Sequence, residues 1–174
     1  MFGNNGSRIA SWLIKFMPTS RWHGLKRFLL RKIGGIQIGD RTTVFSGTKF
    51  VGRYIKIGSD CHIGAGCYIA GLSPDAGITI GDWCSLGPQV FMTTGTHSNE
   101  PGTNHRNNGI GLPITIGHHC GLSVRCMIMA GVTIGDYCVI SPGVVVSKDI
   151  KANTLVAPAP VRQFHFEKDE EKNG

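Results

Sequence analysis

No stretch of this 174-residue sequence is apolar over the roughly 20 residues that a membrane-spanning helix needs. The longest apolar run near the N-terminus, "IASWLIKFM" (residues 9–17), is broken by Lys15 and followed by no small-residue cleavage site. It therefore reads neither as a span nor as a secretion signal, and the expected location is the cytoplasm, where thiols stay free. The six cysteines contain no C-x(2–4)-C pair, which removes the usual zinc signature. The repetitive part lacks any basic run interleaved with aromatics, so the formal net charge of +7 does not point to nucleic acid. Length and a 41% hydrophobic content fit one domain with its own core.

What the sequence does have is a period of six. Ile116, Leu122, Ile128, Ile134, Ile140 and Val146 form one unbroken aliphatic series; Val51, Ile57, Ile63 and Ile69 form another, Ile80, Leu86 and Met92 a third, and Ile38 with Val44 a short opening one. Every cysteine stands four places after such an aliphatic, as in "IGSDCHIGAGCY" (57–68). Neither disulfides nor metal sites impose that register, so the cysteines are expected to be small buried hydrophobes within the repeat.

A period of six fits a short strand plus a turn. In "CHI" (61–63), Cys61 and Ile63 share one face and His62 points the other way. The "GA" that follows is expected to supply a tight turn. Such units cannot close a core alone and must coil and stack as a parallel β-helix. With three sides per coil, residues 18 apart stack, placing Cys120 against Cys138. The predicted fold class is therefore all-β.

Two departures interrupt the period. Between Ile69 and Ile80 the register slips across a turn-rich insertion. Between Met92 and Ile116 the register is kept, but residues 96–113 are polar and rich in Gly, Asn and Pro, which predicts a loop ejected from the coil. Before the repeats, Ile9, Trp12, Leu13 and Phe16 follow the spacing of an amphipathic helix ended by Pro18. A second, basic helix is expected from Ser20, as its cap, to Lys32. These helices have two readings: a cap over the open end of the solenoid, which we favour, or peripheral attachment to an anionic membrane surface. The expected organisation is a helical cap over 1–34, repeats over 35–162 and a polar tail over 163–174.

Residues 36–161 resemble the hexapeptide-repeat acyltransferases, especially bacterial sugar and polysaccharide O-acetyltransferases. The resemblance is carried by the repeats, "TTGTHSNEPG", "PITIGHHCGLSVRCMIMAGVTIGDYCVISPGVVVSKDI" and the closing "APAPVR". It implies a left-handed β-helix, a homotrimer, and acetyl-CoA lying between neighbouring subunits. Left-handedness comes from the resemblance alone, since parallel crossovers are otherwise right-handed.

The resemblance also implies the chemistry: acetyl transfer to a sugar or glycan-precursor hydroxyl, in polysaccharide biosynthesis. His97 occupies the position of the family's general base, and neutral imidazole is suited to taking a hydroxyl proton near neutral pH. Some relatives place asparagine where this chain has Gly64 or Gly66, so the orienting partner is open among Ser73, Asp75 and Glu100. Lys148 and Arg162 stand where the family meets CoA phosphates. Asn99, His105, Arg106, Asn107 and Asn108 are candidate acceptor contacts. Many relatives carry Trp at the position of Gly121 and a Gly-containing turn at that of Ala157–Pro158. No metal is expected at this site; the rival readings are a zinc enzyme like the gamma carbonic anhydrases, drawing on His62, His97, His118 and His119, and a non-enzymatic scaffold.

Overall fold

The computed structural model describes residues 5–97 and 109–160. Two helices, α1 (Asn5–Lys15) and α2 (His23–Lys32), precede a parallel β-solenoid of about five coils. Each coil contributes one strand of two or three residues to each of three sheets, and each strand pairs only with the equivalent strands of the coils above and below. The first sheet starts at Gln37–Ile38, the second at Thr43–Val44 and the third at Lys49–Val51.

Two-residue alternation decides which side chains enter the core. His62 is exposed while Ile63 is buried, and the same order recurs at Ser85–Leu86, Thr133–Ile134, Val139–Ile140 and Val145–Val146. Ile116, Leu122, Ile128, Ile134, Ile140 and Val146 are all buried, as the period of six predicts. In the first sheet the stacked partners Ile38, Ile57, Ile80, Ile116, Ile134 and Ile150 are 19, 23, 36, 18 and 16 residues apart. The ideal 18 is met once, between Ile116 and Ile134; Cys120 and Cys138 stack in that same coil pair, where Gly121 N–H donates to the Cys138 carbonyl.

One member of the expected series shifts by a residue. Phe50, fully buried, pairs with Ile69, while Val51 is half-buried and pairs with Ala70. The extra residue is absorbed at Gly52, whose φ of +80° suits glycine. The "GA" turn also works differently from expectation. The positive φ falls on Gly66, not Gly64; Gly64 is needed because a Cβ there would lie 2.6 Å from the Gly87 carbonyl carbon of the next coil.

The cysteines are free and buried, as expected of small hydrophobes, and their thiols also serve the backbone. Cys61, Cys84, Cys120 and Cys138 line one corner, and each S–H donates to a carbonyl one coil on: Gly81, Gly117, Gly135 and Lys151, at 3.0–3.1 Å. Burial pushes the Cys67 and Cys126 thiols up, the latter to about 11. Hydrogen bonding to Cys84 draws Cys61 and Cys120 down, yet at 2% and 1% exposure neither reaches solvent.

On the outside of the same corner, Arg41, Asp60, Trp83, His119, Tyr137 and Asn153 all adopt left-handed φ of 56–60°. That conformation costs a non-glycine residue about 1–2 kcal/mol. Stacking one coil apart offsets it: Arg41 pairs with both Asp60 oxygens at 2.6 Å, and the His119 ring lies parallel to those of Trp83 and Tyr137, centroids 6.2 and 4.8 Å away.

The helices close the N-terminal end of the solenoid, α1 packing on Lys49–Val51 and α2 on the first strands of the other two sheets. The orientation of α1 is not the one its pattern suggests. Its inner face is Gly6, Ser7, Ala10, Ser11 and Ile14, with Ser11 Oγ accepting from Phe50 N–H at 2.9 Å, while Ile9, Trp12 and Phe16 face outward. Close approach to the sheet selects the small side chains. The second helix begins at His23, not Ser20; Trp22 precedes it at φ 58° without a side-chain cap. Lys26 holds the connection, its buried ammonium donating to the Pro18, Thr19 and Val44 carbonyls and to Ser46 Oγ at 2.8–3.3 Å.

Candidate active site

The two departures from the period meet in space. After the strand Phe91–Thr93, of which Met92 is buried, the chain leaves the coil as a two-stranded antiparallel ribbon, Gly95–His97 against Gly109–Gly111, with His97 opposite Gly109. Thr94 anchors its base: its buried Oγ1 donates to the Ala70 carbonyl and accepts from Leu72 N–H, and its carbonyl accepts from Leu112 N–H at 2.8 Å. The ribbon lies against the insertion that follows Ile69. A cleft of about 430 Å³ between them is lined by Leu72, Ser73, Gly95, Thr96, His97, Gly109, Ile110 and Gly111.

This cleft sorts the candidate residues. His97 stands on its wall at the end of the ribbon strand, exposed to solvent and so open to a substrate. Ser73, half-buried, lines the same cleft. Asp75 lines a different hollow, of about 270 Å³, with Arg53, Tyr54, Lys56 and Pro113. Glu100, Asn99, His105, Arg106, Asn107, Asn108 and Arg162 lie outside the described residues.

Lys148 is exposed just after the third-sheet strand of the fifth coil. Met92, Ile128 and Val146 stack through that sheet, so His97 and Lys148 both follow it, two coils apart, along the edge it shares with the first sheet. Two strand spacings make about 10 Å of rise. Between them lie Met129, 40% exposed, and Gly131, against which Leu112 packs. An extended ligand reacting at His97 and carrying phosphate at Lys148 would follow this edge.

The histidines of the zinc reading have other partners. His118 Nδ1 accepts from Asp82 N–H at 3.0 Å, and His118 N–H donates to Asp136 Oδ1 at 2.7 Å. His118 is thus one rung of a corner column in which each backbone N–H is capped from the next coil; Ser59 N–H on Asp82 Oδ1 is another. His119 lies between Trp83 and Tyr137, and His62 Nδ1 is 3.1 Å from Thr43 Oγ1 on the second sheet. Among the described residues no three His, Cys, Asp or Glu side chains form a group fit to hold a metal ion. Gly121 sits outward on the second sheet and, among the described residues, only Val139 comes within 4.0 Å of where a Cβ would stand, which leaves an open notch there.

The profile of the bacterial transferase hexapeptide (six repeats) matches residues 113–148, and that of the hexapeptide repeat of succinyl-transferase matches 54–88. The chain carries the repeats of the hexapeptide-repeat transferases over both segments. The galactoside O-acetyltransferase of Escherichia coli is 32% identical over 123 residues, which cover 69% of this chain and 61% of that enzyme. The chain therefore spans about three fifths of that relative's length. A hexapeptide-repeat acetyltransferase of Vibrio cholerae superposes with a TM-score of 0.74 at 26% identity, covering 95% of this chain and 91% of that one. A second structure of that protein, complexed with acetyl coenzyme A, superposes with a TM-score of 0.64 at 26% identity, covering 95% and 87%. The ribbon contacts with Leu72 and Ala76 that build the cleft carry no periodic signal in the sequence.

Proposed function

We propose that this protein transfers an acetyl group from acetyl-CoA to a hydroxyl of a sugar or glycan precursor, with His97 as general base. The observation that carries this is the placement of His97 on the wall of a cleft that Ser73 also lines, at the head of an edge that leads to Lys148. The acetyl-CoA complex of the similar Vibrio cholerae protein and the galactoside specificity in the name of the Escherichia coli relative support the donor and the acceptor class.

The acceptor hydroxyl gives its proton to the His97 imidazole as its oxygen attacks the thioester carbonyl. CoA thiolate then leaves and takes the proton back from His97. A positioned base contributes ~10² to 10⁴-fold in rate. Ser73 is the described candidate for holding the imidazole in place, and Asn99, His105, Arg106, Asn107 and Asn108 would meet the acceptor. The Lys148 ammonium and Arg162 would meet CoA phosphates.

A homotrimer is part of this reading. The outer face of the first sheet is polar, with Gln37, Lys56, Thr79, Thr115 and Thr133 exposed. In their later coils the second and third sheets expose Val139, Leu155 and Val145, and in the third sheet Tyr68 stacks on Phe91 at 5.0 Å, apolar patches suited to neighbouring subunits beside the exposed His62, Ser85 and Lys49. We place the enzyme in the cytoplasm, where acetyl-CoA is made and activated sugars are assembled.

Calorimetry with acetyl-CoA tests the proposal, with free acetate as control. Micromolar binding, kept in His97→Ala while turnover on a screened sugar falls at least about a hundredfold, is the expected result. Absence of binding at millimolar acetyl-CoA in folded oligomeric protein would overturn it.

A further inference from the structure

Residues 1–39 hold seven basic side chains and no Asp or Glu, while the remainder holds eleven of each sign; Lys26 is buried and Arg31 pairs with Asp40, and the other five leave the helical end with an excess of cations. That end also carries the large apolar side chains that the fold turns outward. On α1 and the turn that ends it, Arg8, Ile9, Trp12, Lys15 and Phe16 share the side away from the solenoid, with Trp12 61% and Phe16 70% exposed and their rings in edge contact at 5.2 Å. Trp22, Leu25 and Phe28 continue the exposure onto α2, beside Arg21 and Lys32. Beneath Trp12 a cleft of about 400 Å³ is lined by three cations, Arg8, Lys15 and Lys49, with Ser11, Thr48 and Phe50.

The cap needs only the inner faces of these helices, so packing does not explain Trp12, Phe16, Leu25 and Phe28. Aromatic rings ringed by cations are what a headgroup layer accommodates, the rings at the acyl boundary and the cations among phosphates. A second copy is a poor occupant, because homotypic docking would press two all-basic surfaces together. A phosphate backbone alone would leave the protruding rings unused. No described helix is long and apolar enough to cross a membrane, so the contact is peripheral.

We infer that the outer face of α1 and α2 docks the protein onto a lipid bilayer rich in anionic headgroups, with Trp12 and Phe16 inserted and Arg8 and Lys15 on the lipid phosphates. This inference stands independently of the transferase reading.

The test is flotation of the full chain with vesicles of phosphatidylcholine alone or with 30% phosphatidylglycerol, at low and high salt. Binding to the anionic vesicles only, weakened by salt, is expected. The double variant Trp12→Ser with Phe16→Ser should lower partitioning more than tenfold, and Arg8→Gln with Lys15→Gln roughly fivefold per cation, with melting temperatures unchanged. Failure to float with anionic vesicles overturns the inference, as does undiminished binding by both variants. A sedimentation mass that drops in the aromatic variant overturns it in favour of a second copy, and tighter binding to single- or double-stranded DNA than to vesicles overturns it in favour of nucleic acid.

Discussion

Gly95 and Gly111 face each other across the ribbon, and each touches the preceding insertion. A Cβ on Gly95 would stand 2.8 Å from Leu72 Cδ1, and one on Gly111 would stand 2.7 Å from the Ala76 Cβ. Replacing Gly111 by valine must therefore push the ribbon off the insertion and move His97 away from Ser73. A displacement near 1 Å in a reacting constellation costs about a hundredfold. Turnover of Gly111→Val should fall by that order while calorimetric acetyl-CoA binding stays within a few fold, because Lys148 lies two coils away. Unchanged turnover would separate the cleft from the chemistry.

Lys26 makes a separate, structural prediction. Its ammonium shares its three hydrogens among three carbonyls and one hydroxyl that tie α2 to the α1–α2 connection and to the second sheet. Lys26→Met keeps the aliphatic stem and removes every donor. The loss is expected at about 2–4 kcal/mol, with some acceptors regaining water, and thermal melting measures it. A melting point equal to the wild type would mean that these four contacts contribute nothing net.

Acid sensitivity should localise to His23. Burial holds its imidazole below the ordinary value of 6.5, reinforced by the Lys26 charge, and its Nδ1 is 3.2 Å from Val44 N–H. The unfolded chain therefore takes up a proton at a pH where the folded protein does not. Stability is fully present above about pH 6.5 and declines as the pH falls through that value toward the depressed native pKa. Calorimetric melting at pH 7.5 and 5.5 should show a smaller difference for His23→Gln than for the wild type. An identical difference would place the acid sensitivity elsewhere.

The thiols should be silent. All six are buried, so an aromatic disulfide reagent is expected to label none in native protein and six in guanidinium. Labelling of Cys61 or Cys120 in the native state, the two drawn toward the thiolate by Cys84, would show that this corner opens.

The solenoid was legible because its period reports packing directly: each sixth aliphatic is a core position, and the cysteines fall in a fixed register with them. Single extra residues were not legible. Between Val44 and Val51 the spacing is one longer than the repeat, and nothing in sequence tells whether Phe50 or Val51 keeps the inward place; the pairing with Ile69 gives it to Phe50. The helix pattern located α1 but not its orientation, since a stripe of bulky residues and a stripe of small ones both satisfy helical periodicity, and contact with the sheet decided for the small one. At the site, His97 was visible from its place in the resemblance, whereas its neighbourhood with Ser73 arises from two insertions meeting and leaves no local trace. Trp22 stands in place of Ser20 at the start of α2, and the Pro18 and Thr19 carbonyls before it are held by Lys26 from within the helix, a contact with no local pattern in the sequence.

The hydrogen bond from Leu112 N–H to the Thr94 carbonyl closes the base of the excursion, and Ile80 and Ile116 remain stacked at twice the ideal coil length. The detour thus adds the residue count of one full coil without rotating anything after it. The solenoid behaves as a socket and the segment from 96 to 110 as an interchangeable bit: a graft of different length between Gly95 and Gly111 would leave Met92, Ile128 and Val146 in their column. On the proposed function, acceptor recognition could in this way be re-engineered while the foundation it stands on keeps its alignment.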